Sequence, residues 1–145
     1  MNQKVQSYIT SDTLGKSVPE LIIKVYDGAI NNLSDASRFY QSEELTRGYD
    51  ALEKAKRFIV HLYTTLDMEK GGEIADRLSK LYVFILEQIN IAQATGNQNI
   101  MKESMVILKN IREGWSQLAE QTRKKPETPE TLPGPPSGAN LSFSI

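Results

Sequence analysis

His61 and Asp27 are the two side chains whose type and setting first invite a chemical reading. His61 is the only histidine, and the chain has no cysteine. A di-metal carboxylate bundle needs Glu-x-x-His pairs pointing inward from two helices. Here Phe58 stands three residues before His61, so that motif is absent and His61 is assigned to a structural or surface role. Without cysteine there is no disulfide framework, thiolate zinc site, iron–sulfur cluster or cysteine nucleophile. Asp27 lies in Tyr26-Asp27-Gly28-Ala29, after a run of apolar residues. A proton-transfer role would need a second titrating group at fixed spacing, and none follows. Asp27 is therefore expected to bond to a neighbouring helix, with Gly28 and Ala29 as small residues for close helix approach. Asp67 is expected to cap or shape a turn. No G-x-S-x-G, P-loop or G-x-G-x-x-G occurs. The residues assign no catalytic group, no metal ligand and no cofactor.

The elements that would hold these residues are read from proline and glycine. Proline averages about one residue in twenty, yet residues 20–125 contain none. Pro19 opens that stretch, and Pro126, Pro129, Pro133, Pro135 and Pro136 follow it. Helix interiors exclude proline at a cost of roughly 3 kcal/mol, so the stretch permits long helices. Gly48, the pair Gly71-Gly72, and Gly96 divide it into four segments.

Each segment repeats apolar residues at steps of three and four. The first opens with Ser17 as N-cap and Glu20 at capping-box spacing. It continues Ile22, Val25, Ala29, Leu33, Ala36 and Tyr40. The second runs Leu45, Tyr49, Leu52, Ala55, Ile59, Leu62 and Leu66. The third runs Ile74, Leu78, Leu81, Ile85, Ile89 and Ala92. The fourth runs Met101, Leu108, Ile111, Trp115 and Leu118. Short connections make neighbours antiparallel, so the predicted fold is all-α: an up-and-down four-helix bundle over residues 17–125. Residues 1–16 are expected to form an N-terminal segment, either a short helix or a strap. Residues 126–145 are a proline-rich tail expected to be disordered. Leu141, Phe143 and Ile145 stand out in the tail because they have an apolar surface to dock. A solvated tail and one folded back into a groove are both open at this point.

With 17 Lys+Arg against 18 Asp+Glu, the charge nearly cancels. That argues against a nucleic-acid footprint and against a polybasic membrane anchor. No run approaches the roughly 18 apolar residues of a membrane span, and Met1–Thr10 has no signal-peptide stretch. A soluble protein of a reducing compartment is expected.

The apolar excess is more telling. Leu81-Tyr82-Val83-Phe84-Ile85-Leu86 is six apolar residues in succession. At about 100° per residue such a run covers the whole circumference of a helix. Either this is the most buried helix of an asymmetric bundle, or one side forms a groove for a partner helix. Tyr82, Tyr63 and Trp115 offer a groove apolar area with a polar tip.

Pro19-Glu20-Leu21-Ile22 with Val25-Tyr26-Asp27-Gly28-Ala29 resembles the first long helix of the flagellin-specific export chaperones of bacterial flagella. The likeness continues through Leu62-Tyr63-Thr64-Thr65-Leu66-Asp67 and Gly71-Gly72-Glu73-Ile74-Ala75. It goes on through Leu78-Ser79-Lys80-Leu81-Tyr82 and Leu108-Lys109-Asn110-Ile111-Arg112-Glu113-Gly114-Trp115. It extends from about Tyr8 to Leu118, and its force lies in the ordered set of pieces. The resemblance implies a cytoplasmic, non-enzymatic chaperone that binds the disordered C-terminal segment of flagellin. It would block premature polymerisation and deliver flagellin to the cytoplasmic domain of the flagellar type III export gate. A helical adaptor or regulator using the same groove on another flagellar protein is the rival.

On that resemblance, Leu62, Leu66, Tyr82, Ile85, Ile89 and Leu108 are expected to line the flagellin groove. Tyr8 and Ile9 are expected to cap it and to touch the export gate. Ordering the partner consumes roughly 2–5 kcal/mol, so a large apolar contact is needed. No nucleic acid and no membrane insertion are expected, and the chain is expected to be a monomer or a weak homodimer. The proline-rich tail is extra to the family pattern.

Overall fold

The structure is a computed structural model and describes residues 18–124. Four helices follow one another: α1 (Val18–Gln41), α2 (Leu45–Thr64), α3 (Met68–Thr95) and α4 (Gln98–Lys124). Each packs against its neighbours in chain order and α4 closes onto α1, so the architecture is an all-α four-helix bundle. Ser17, proposed as an N-cap, lies outside the described residues, as do Tyr8, Ile9 and the tail.

The helix ends follow local chemistry. Residues 42–44 turn α1 into α2, with Glu43 at φ 61° and the Glu44 amide donating to the Phe39 carbonyl at 2.8 Å. Asp67 caps α3 as its composition suggested: its carboxylate accepts from the amides of Glu69 at 3.1 Å and Lys70 at 3.0 Å. Gly96 ends α3 in the left-handed region at φ 71°, the usual role of a glycine there. Asn97 then accepts from the amides of Asn99 and Ile100 at the start of α4.

Of the glycines expected to divide the helices, Gly48 does not and Gly72 does so only within α3. Gly48 sits inside the first turn of α2, buried against the Tyr40 ring, where an added Cβ would come within 2.6 Å of Cε2. Gly72 leaves the helical region at φ 52° and ψ −130°, so the chain breaks at the expected glycine pair, between a first turn capped by Asp67 and the long remainder of α3.

Small residues set the helix spacing. Gly28 has no room for a Cβ against the Phe58 ring, and Ala29, Ala36, Ala51 and Ala55 are all buried. They let α1 and α2 approach closely, and α1 and α4 also pack tightly. On the α1–α4 side, Arg112 holds Asp27 through Nε to Oδ1 at 2.5 Å and Nη2 to Oδ2 at 3.3 Å. Asp27 is thus a helix-to-helix carboxylate, as expected, and the pair raises the Arg112 pKa through that hydrogen bond.

Helix α3 stands further from both neighbours, and large side chains fill the distance. Tyr82 of α3 reaches across the bundle to Tyr26 of α1, the two hydroxyls sharing a hydrogen bond. Their rings lie 6.5 Å apart and tilted by 53°. Ile85, Ile89, Leu33, Leu52, Ile59, Met101 and Leu108 complete the fully buried core.

Two predictions come from this packing. Gly28→Ala should lower stability by about 1–2 kcal/mol, because overpacking against Phe58 outweighs the gain in helix propensity. A thermal melt at least as high as the parent's would contradict the close-approach argument. The second concerns pH. Burial pushes the Tyr82 hydroxyl up to about 12 and raises Tyr26 further still. An unfolded tyrosine titrates near 10. The unfolded chain therefore loses these protons first, and stability should fall as pH rises from about 10 to about 12. Tyr82→Phe should reduce that slope by up to about 1.4 kcal/mol per pH unit, measured by denaturant melts at several pH values.

Candidate partner-binding site

The inward face of α3 is Ala75, Leu78, Tyr82, Ile85, Ile89 and Ala92. With about 100° per residue, the remaining residues fall into two rows. Val83, Leu86, Asn90 and Gln93 share one side. That side faces α2, because Lys56 Nζ donates to the Asn90 side chain at 2.9 Å. Gln93 Nε2 likewise donates to Glu53 Oε2 at 2.9 Å and to the Tyr49 carbonyl at 3.3 Å. Leu81, Phe84, Gln88 and Ile91 share the other side, which the order of the bundle turns toward α4.

The α2/α3 seam divides along its length. At one end it is polar: Glu53 accepts from Lys56 at 2.8 Å as well as from Gln93. The Lys56 hydrogen bond, and then that of Gln93, holds the Glu53 carboxyl below its usual range. At the other end, toward the α2–α3 turn, the same rows become apolar. Val60 and Tyr63 on α2 and Val83 on α3 are all more than 40% exposed, with Leu86 partly buried among them.

The α3/α4 seam is apolar over a longer stretch. Leu81 and Phe84 stand on α3. Ile100, Ile107, Ile111 and Leu118 stand on α4, on the side opposite the one Arg112 turns to α1. Phe84 is 46% and Ile91 47% exposed, large fractions for residues of this size.

This settles how the 81–86 run is used. The helix is not simply the most buried of the four: Val83 and Phe84 face outward while Tyr82 and Ile85 face the core. The residues expected from the sequence to line a groove are mostly core residues. Leu62, Tyr82, Ile85, Ile89 and Leu108 are buried core side chains, and Leu66 is partly buried against them. A chain lying outside the bundle would meet their out-of-phase neighbours instead. Trp115 is likewise buried, so that of Tyr82, Tyr63 and Trp115 only Tyr63 is exposed. Val60, Val83, Phe84 and Ile91 were not singled out from the sequence, although they are apolar residues that do not fit the inward stripe; all four are exposed. His61 is half-buried on α2.

Among the described residues no three His, Asp or Glu side chains gather as metal ligands. No described helix is long and apolar enough to cross a membrane. The arrangement offers apolar area flanked by polar hydrogen bonds.

Comparison with known proteins accounts for such a bundle. The family model described as "Flagellar protein FliS" matches residues 1–122. The flagellar secretion chaperone FliS of Salmonella typhimurium is 33% identical over 115 residues, covering 79% of this chain and 85% of that one. The Vibrio cholerae protein of the same name is 27% identical, covering 81% and 90%. That of Campylobacter jejuni is 26% identical, covering 71% and 80%. The ordered motifs, the four-helix bundle and the match across nearly the whole chain together place this protein in the FliS family of flagellar secretion chaperones.

Proposed function

We propose that this chain binds the C-terminal segment of flagellin along the seams flanking α3, in the cytoplasm and without catalysing a reaction. It keeps the segment from polymerising prematurely and carries it to the export gate. The observation that supports this best is the exposed apolar pair Val83 and Phe84, one on each side of α3. A partner that becomes helical on binding brings its own apolar stripe and gains most where such residues already face water. Leu62, Leu66, Tyr82, Ile85, Ile89 and Leu108 act here as the floor of the site, fixing where α3 stands. Tyr8 and Ile9, outside the described residues, are proposed as the cap and the gate contact.

The chemistry favours binding over reaction. Asp27 is held by Arg112, and Asp67 is engaged as a helix cap.

Calorimetric titration with the C-terminal segment of the host's flagellin, with circular dichroism alongside, tests the reading. One-to-one binding with helix gained by the segment is expected. Phe84→Ala should weaken it by at least about tenfold, the scale of a central interface anchor, while leaving the melting temperature near the parent's. Absence of binding, together with binding of another flagellar protein that Phe84→Ala abolishes, would establish the adaptor reading instead. Unaltered flagellin affinity in both Val83→Ala and Phe84→Ala would remove these seams from the site.

A further inference from the structure

The family match ends at residue 122, leaving a tail that carries Leu141, Phe143 and Ile145 among serines. We propose that residues 141–145 dock in the α3/α4 seam, lined by Leu81, Phe84, Ile107 and Ile111, as a resident occupant that an incoming partner must displace.

Three observations favour this occupant. The first is reach. Helix α4 delivers the chain at Lys124, and Ile111 lies 13 residues back along it, about 20 Å at a 1.5 Å rise. The 16 residues between Lys124 and Leu141 include five prolines. At about 3.1 Å per residue in extended form they span up to roughly 50 Å, ample to turn back at Pro133–Pro136 and reach Ile111. A site within reach of a tethered segment is bound intramolecularly, at an effective concentration set by the linker rather than by the protein concentration.

The second is pattern. Leu141-Ser142-Phe143-Ser144-Ile145 alternates, so in extended form it presents one apolar side with a repeat of about 6.7 Å. Residues four apart on a helix, such as Ile107 and Ile111, are spaced by about 6 Å. The third is chemistry. Residues 131–145 contain no charged side chain, which suits a seam lined by leucine, isoleucine and phenylalanine. The α2/α3 seam is partly closed by Lys56, Glu53, Asn90 and Gln93 and suits an uncharged apolar segment less well.

The inference goes beyond the chaperone reading, and its test needs no partner protein. Because the chain has no cysteine, Ser137→Cys supplies a single attachment point for a nitroxide on the full-length protein. Paramagnetic broadening should remove most of the amide signal of residues 81–91 and 107–114. The effect should not change on dilution, and should vanish in Leu141→Asp/Phe143→Asp. Broadening confined to the end of α4, or centred on α1 and α2, would overturn the proposal. So would broadening that transfers to unlabelled copies in a mixed sample, which would make a second copy the occupant. Ending the chain at Lys125 should raise the fluorescence of an apolar dye several-fold, and an unchanged signal would also count against it.

Discussion

How closely two helices approach is fixed by the bulk between them, and in this bundle that bulk is unevenly distributed. Gly28 against Phe58 and Gly48 against Tyr40 leave no space for even a methyl group, so α1 and α2 lie close. Tyr82 and Tyr26 instead span the bundle from α3 to α1 and meet at their hydroxyls. A side chain that long holds α3 away from its neighbours, and the seams on either side of α3 follow from it. The hydroxyl pair makes the separation affordable in the core, because two buried polar groups satisfy each other rather than standing unpaired. The surface on which a partner would lie is thus set by core packing.

That arrangement suits a protein that recognises an apolar chain. Association rewards apolar area that is already exposed and already positioned, since little ordering remains to be done on the receptor side. Val83 and Phe84 are carried on a helix whose inward residues are locked. Their exposure is a property of the rigid frame rather than of a loop. Membership in a family of flagellar secretion chaperones supplies the setting in which such exposure is useful.

Much of this was legible in the sequence. The proline-free stretch and the spacing of apolar residues gave four helices, and Asp27 and Asp67 were read correctly as an interhelical carboxylate and a cap. Gly48 misled because a glycine needed for close approach looks the same in sequence as one that ends a helix. The groove residues were chosen from the inward stripe, and Tyr82, Ile85 and Ile89 proved to be core for that reason. Periodicity identifies what faces inward. A partner surface is written in the apolar residues out of phase with it, and only the helix neighbours show which of those lie beside another helix.

The polar cluster across α2 and α3 has a consequence for alignment. Lys56, Glu53, Asn90 and Gln93 are bonded to one another across the seam. Beyond Leu86 the floor changes from apolar to charged within one helical turn. A helix sliding along the seam would have to cover these groups and displace hydrogen bonds that apolar side chains cannot replace. On the proposed binding mode the cluster acts as an end stop, giving an otherwise uniform greasy track a defined terminus.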